Sequence, residues 1–254
     1  MGLFSFFKKS EQREDRDLCE REKKEVVFDE LSKKVLSKEQ QKLKPLLEYF
    51  STVSFLGGGT AIALQLGHRK SIDFDFMTDR DLHSYFEFEK IVESHGLTID
   101  AESRENYRGV EGLKQDEIHV KIDGVNFTIF NFYKTLYRDQ QINIIGDAYM
   151  LGGLRVANLE ELACMKLYAM ITRNKWKDAV DLYFILKSTD YSLVHLFDVS
   201  KKYFEGIFRQ DIVMETLLAG EWDKSEQVEY IIENPPTDLE IVEFLKKEVV
   251  KLIQ

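Results

Sequence analysis

Proline is scarce in this chain, with three residues in 254, and glycine numbers only fourteen. Collagen-like and Gly/Pro-rich architectures are therefore excluded. Cysteine is scarcer still: Cys19 lies in a charged segment and Cys164 in an apolar, helix-like run, with no metal-ligand spacing between them. Such usage is no disulfide framework and fits a reducing, cytoplasmic setting. No stretch approaches the roughly 18 apolar residues of a membrane span. The N-terminal run from Met1 to Lys9 is briefly apolar, but too short for a signal-peptide core. Phe6 stands where myristoylation requires Ser or Thr. A basic excess is also missing: 35 Lys and Arg face 45 Asp and Glu, for a formal net charge of −10. That balance argues against a broad grip on duplex DNA. Apolar residues are not scarce. At 44% hydrophobic and 12% aromatic, the chain can bury one large core or two small ones, and disorder is excluded.

The pattern changes character along the chain. Residues 1–25 read as a charged extension, 26–155 as a mixed core and 156–254 as a helical subdomain. Val26, Val27, Leu31, Val35, Leu43, Leu46 and Leu47 suit one or two amphipathic helices, with Pro45 in the first turn of the second. Val53 to Leu56 reads as a strand and Thr60 to Leu66 as a helix ended by Gly67. Ile72-Asp73-Phe74-Asp75-Phe76 alternates as a strand. A helix is expected over 81–96 and strands over 97–103, 117–122, 125–132 and 141–145, with Asp123-Gly124 as a hairpin signal. Helices are expected over 159–171, 177–187, 192–208, 211–219 and 237–253. The fold class is therefore α+β.

Two features carry chemistry. Gly57-Gly58-Gly59-Thr60 sits at a strand-to-helix turn, where glycine lets backbone approach a ligand and the helix N-terminus favours phosphate. It is neither a Walker A loop nor a dinucleotide fingerprint, since neither spacing is present. Taken alone it also fits a tight turn. Asp73 and Asp75 follow, one on each side of Phe74. Period-2 geometry puts both carboxylates on one strand face, about 7 Å apart at Cα, with Ile72, Phe74 and Phe76 directed into the core. Such a pair can hold Mg²⁺ against nucleotide phosphates; alone it also fits a solvated face. An EF-hand fails, because Thr78 and Ser84 replace the required Gly and Glu.

Strand, Gly-Gly-Thr, helix and Asp-x-Asp strand together resemble the DNA polymerase β-type nucleotidyltransferases. The local wording, GGTAIAL followed by His68-Arg69-Lys70-Ser71-Ile72-Asp73-Phe74-Asp75-Phe76, is similar to the AbiEii/AbiGii nucleotidyltransferase toxins. A second block carries the same resemblance: Lys166, then Arg173, then Lys177-Asp178 and Asp181-Leu182. On one continuous helix Lys166, Arg173, Lys177 and Asp181 would fall within about 80° of one another, beside an apolar stripe. Asn174 is the point where that helix would break.

The resemblance spans about residues 26–220 and implies a polymerase β-like core followed by helices that complete the active site. It implies Mg²⁺ on Asp73 and Asp75, and an NTP held by Gly58, Gly59, Thr60, Arg69, Ser71, Lys166 and Arg173. Asp178 or Asp181 joins Asp73, Asp75 and Lys166 in catalysis. It further implies transfer of NMP to RNA, tRNA foremost, by the toxin of a toxin–antitoxin or phage-defence pair with a cognate antitoxin; a partner protein as acceptor, or a non-catalytic role, stays open. One departure stands out. The wider superfamily places a third carboxylate on a later strand, and Val125-Asn126-Phe127-Thr128-Ile129-Phe130 has none, leaving Asp123, Asp178 or Asp181 as sources. Local charge also departs from the global balance: residues 162–177 hold Lys166, Arg173, Lys175 and Lys177 and no acid, so a small polyanion remains compatible.

Overall fold

The computed structural model describes residues 28–131 and 148–252. The charged extension at 1–25 and the strand expected at 141–145 lie outside the described residues. Residues 28–35 form helix α1, followed by α2 (Lys38–Lys42) and α3 (Lys44–Phe50). Ser37 and Gln40 close a capping box on α2, and Pro45 takes the first turn of α3, where its missing N–H costs nothing. Then come β1 (Phe55–Leu56), α4 (Gly58–Leu66), β2 (Asp73–Thr78), α5 (Tyr85–Ser94), α6 (Ala101–Glu105), β3 (Glu117–Ile122), β4 (Val125–Asn131), β5 (Tyr149–Leu151) and β6 (Leu154–Val156). The six strands form one mixed sheet in the order β3-β4-β2-β1-β6-β5. β2 runs parallel to β4, and β1 to β6.

Alternation gives the sheet two unlike faces. Phe74, Phe76, Ile118, Val120, Ile122, Phe127 and Ile129 are buried on one. Phe50 of α3 and Phe88 of α5 pack over Phe127, with ring centroids 5.3 and 5.8 Å away. Each such side chain contributes about 1.5–3 kcal/mol on burial. The opposite face carries Asp73, Asp75, Asn126, Thr128, His119 and Lys121. Five further helices follow: α7 (Leu159–Thr172), α8 (Trp176–Ser188), α9 (Leu193–Tyr203), α10 (Gln210–Ala219) and α11 (Asp238–Val250). α4 packs on both α7 and α8, which brings the helical half against the start of β2. The molecule is α+β, and no described helix is long and apolar enough to cross a membrane.

Several local expectations are corrected. Residues 97–103 are not a strand: Ile99 makes a single bridge to Ile122, and helix α6 begins at Ala101. Leu97 and Ile99 supply two inward side chains, but only the small Ala101 continues the alternation, and Ala-Glu-Ser-Arg-Glu forms helix instead. The β5–β6 hairpin is an unexpected element. Its Gly152-Gly153 turn has φ of 56° and 85°, as a tight hairpin demands, but three-residue strands are too short to show alternation. Ile72 is 67% exposed rather than in the core, because β2 begins one residue later. The helix after Leu159 ends where Asn174 suggested, as the separate helices expected over 159–171 and 177–187 require. It stops at Thr172, Arg173 is extended at φ −147° and ψ 148°, and α8 starts at Trp176.

Candidate active site

The site begins at the junction of β1, α4 and β2. The Gly57 N–H bonds the Asp75 carbonyl at 2.8 Å, clamping the turn against β2. Gly58 opens α4 with φ of +63°, and a Cβ there would lie 2.2 Å from Asp75 Oδ2. Only glycine fits. The first N–H groups of a helix lack intrahelical acceptors and carry partial positive charge, so the turn presents donors beside the carboxylate. Thr60 has a different role from the one expected. Its hydroxyl donates within 2.7 Å of Ser71 Oγ and lies against the Asp73 carbonyl, and the side chain is buried. Thr60 and Ser71 tie α4 to the start of β2.

Asp73 accepts a hydrogen bond of 2.7 Å from Asn126 Nδ2. The Asp75 carboxylate has no hydrogen-bond partner among the described residues. Burial pushes its carboxyl above the usual range and the Asp73 charge adds to that, against the pull of Lys166, Arg173 and Lys177. β2 pairs in register with β4, Asp73 opposite Asn126 and Asp75 opposite Thr128. The position for a third carboxylate is thus filled by an amide and a hydroxyl. Asp123 is no substitute: it sits in the β3–β4 turn at φ 47° and accepts from the Thr98 N–H.

The second block builds a buried ion cluster behind this floor. Lys166 Nζ lies 2.7 Å from Asp178 and 2.8 Å from Asp181, and is only 5% exposed. Arg69 binds Asp181 through two nitrogens at 2.7 and 2.8 Å. Arg173 grips Asp178 in the same forked way at 2.9 and 3.0 Å. His68 Nε2 is 2.8 Å from Asp181. Burial opposes charge on both carboxylates, but Lys166 and Arg173 hold Asp178 below its usual range, and Arg69, Lys166 and His68 hold Asp181 well below. Burial lowers His68 and keeps it neutral, so its Nε2–H donates to Asp181. Three permanent cations against two carboxylates leave one positive charge in surplus. The break at Arg173 serves this geometry, because leaving the helix lets the guanidinium turn back onto Asp178 in the first turn of α8.

Together these elements enclose a cleft of about 620 Å³. Gly58, Gly59, Asp73 and Asp75 form its floor, and Arg69, Ser71, Lys166, Arg173 and Lys177 line it. Of the expected site residues, Thr60, Asp178 and Asp181 stand behind the lining rather than in it. Three contributions are not legible in the sequence motifs. Asn126 is one: its place beside Asp73 comes from the β2–β4 register. The second is an apolar wall of Met77, Phe130, Met165, Tyr168 and Phe204. The third is an acidic strap: Glu226 bonds Lys177 at 2.6 Å and Glu229 pairs with Lys70. No local signal could place residues 226–229 over a site built from residues 58–177.

The donor set suits a hard divalent cation. The Asp75 carboxylate has no hydrogen-bond partner among the described residues and stands next to a second carboxylate. Among the described residues no group of three or more His, Cys, Asp or Glu converges, which excludes an all-protein cage there. Mg²⁺ needs none, since it takes one or two carboxylates plus waters and substrate phosphates.

Several known proteins are similar to this chain. An uncharacterized protein of Aquifex aeolicus (strain VF5), aq_aa25, is 29% identical over 201 residues, 79% of this chain and 88% of that protein. Among solved structures, JHP933 from Helicobacter pylori shares 18% identity over 86% of this chain and 96% of its own, at a TM-score of 0.46. An antigenic nucleotidyltransferase-like protein from Paracoccidioides brasiliensis shares 12% over 71% of this chain and 88% of its own, at 0.41. Those two structures are distant and carry no argument about the site. Residues 49–253 match the family described as nucleotidyl transferase AbiEii toxin, Type IV TA system. That span holds the glycine turn, the Asp pair and the whole ion cluster, and the chain belongs to the AbiEii nucleotidyltransferase toxin family.

Proposed function

We propose that this chain transfers a nucleoside monophosphate from an NTP to an RNA acceptor, tRNA foremost, releasing pyrophosphate, as the toxin of a toxin–antitoxin or phage-defence pair. One observation carries the reading: Asp73 and Asp75 lie against the glycine-opened N-terminus of α4 on the floor of a basic-walled cleft. Its volume of about 620 Å³ lies within the roughly 300–1,000 Å³ of small-molecule sites. Asp73 and Asp75 would hold Mg²⁺, which when bound neutralises the triphosphate and lowers the pKa of an attacking hydroxyl. The α4 amides would bind phosphate oxygens, and the half-exposed Arg173 would meet charge that develops on the leaving pyrophosphate. Lys166 and Arg69 already have carboxylate partners, so their part is a fixed positive field. The apolar wall would shelter base and sugar.

Incubation with each of four labelled NTPs, Mg²⁺ and total RNA tests this. The expected result is one labelled RNA class from the native chain and none from Asp75→Asn. A labelled polypeptide instead would move the acceptor to protein. A second reading, a nucleotide- or partner-binding member without turnover, is favoured by the absence of a carboxylate at Asn126 and Thr128. Calorimetry showing NTP binding with no product would support it. The expected partner is a cognate antitoxin, and a small DNA-binding protein encoded next door would point to it.

A further inference from the structure

If the chain transfers NMP, the attacking hydroxyl must lose a proton, and β4 offers no carboxylate to take it. On the polar face of the sheet, the described proton acceptors near the Asp pair are Asp73, Asp75, Glu117 and His119. Asp73 is engaged by Asn126, and both Asp residues are the proposed cation ligands. Glu117 pairs with Phe130, in the row of Met77, one step beyond the carboxylates. His119 pairs with Thr128, which pairs with Asp75. Asp75, Thr128 and His119 therefore form one row across three adjacent strands. At roughly 4.8 Å per strand the outer backbones stand about 10 Å apart.

The ring does not point away from that row. His119 Nδ1 lies 2.8 Å from Thr128 Oγ1, which draws the imidazole back toward β2. The backbone is held as well: the Tyr107 hydroxyl accepts from the His119 N–H at 2.8 Å and donates to its carbonyl at 3.4 Å. The other charged and titratable groups around it are Glu117 and Lys121 on its own strand, Tyr107 behind it, and Asp73 and Asp75 across β4. His119 and Thr128 stand outside the lining of the cleft, on the β3–β4 side of the Asp pair, and a base at His119 requires the acceptor to approach from that side.

We propose that His119 is the general base for the acceptor hydroxyl, a role that rests on the transferase reading above. With Nδ1–H donating to Thr128 Oγ1, Nε2 is free to accept. The hydroxyl proton passes to His119 Nε2 while the oxygen forms a bond to the α-phosphorus. The bond from that phosphorus to the bridging oxygen breaks, and pyrophosphate leaves with the electron pair. Thr128 is a positioning residue that tilts the ring and, by accepting from Nδ1–H, leaves Nε2 free.

Single-turnover transfer to RNA, measured against pH for the native chain, His119→Gln, His119→Ala and Thr128→Val, tests the proposal, with Asp75→Asn as control. The native rate should rise with pH to a plateau, as general-base catalysis requires. His119→Gln should lower the plateau by about 100-fold or more and lose that rise, with NTP affinity by calorimetry unchanged. Added imidazole should restore part of the rate of His119→Ala, and Thr128→Val should slow transfer without touching NTP binding. A His119→Gln protein with native rate and profile, while Asp75→Asn is inactive, overturns the role of His119 alone. A native chain that binds NTP and labels nothing overturns the transferase reading and this proposal with it.

Discussion

Asp75 and Asp181 both feel the charge of Lys166, yet their surroundings push them in opposite directions. Asp75 is held above the ordinary range by burial and by Asp73. A carboxyl raised in the folded state adds stability below its unfolded pKa and loses that contribution as pH rises through the folded value. At neutral pH, above the unfolded value, Asp75 therefore weakens the metal-free fold. Asp75→Asn should raise the melting temperature in EDTA by about 2–4 °C for a gain near 1 kcal/mol, while abolishing transfer. A lower melting temperature would show that Asp75 is stabilised by something other than its site. Asp181 has the reverse sign. Its depressed pKa gives stability that is complete above the unfolded carboxyl range and is lost as pH falls through the folded value. Asp181→Asn leaves Lys166 and Arg69 short of a buried partner and should cost about 3–5 kcal/mol in urea unfolding at pH 7. That cost should shrink toward acid pH, where native Asp181 is itself being protonated.

At the scale of elements, the glycine turn is where local chemistry and the site are the same thing. Gly58→Ala places a methyl on the Asp75 carboxylate at a backbone angle that alanine rarely adopts. The expected outcome is a loss of Mg²⁺-dependent NTP binding by 10-fold or more, about 1.4 kcal/mol, read by calorimetry, with unfolding cooperativity retained. The strand carrying Asp73 and Asp75 was legible from alternation, and the helix after the glycines from its Gly67 stop. The β5–β6 hairpin was not, since three residues per strand carry no period. The α7–α8 break was visible as Asn174 but not its purpose. Asn174 Nδ2 bonds the Glu221 carbonyl at 2.7 Å, and the Arg173 fork on Asp178 appears only once two helices are folded across each other. A single-helix reading brings the same residues together by phase, which is right about proximity and wrong about cause.

At the scale of the whole molecule, the motifs found the floor and back of the cleft and missed its rim. Composition hinted at neither, because a net charge of −10 averages over a basic wall and an acidic strap that face each other. Glu226 also lies 3.2 Å from Lys175, so it spans two lysines, and Glu229 holds Lys70 near the mouth. Both carboxylates line the space that a triphosphate would enter. These are solvent-facing pairs, of the kind that contribute little to folding, yet each sets a negative charge against an anionic ligand. Glu226→Gln combined with Glu229→Gln should shift the melting temperature by no more than about 2 °C. It should tighten NTP binding on the order of five-fold at low ionic strength, with the gain fading toward 0.5 M salt as the charges are screened. Isothermal titration at two salt concentrations reads both numbers. Weaker binding in the double variant would mean that the strap contacts the nucleotide directly instead of competing with it for the lysines.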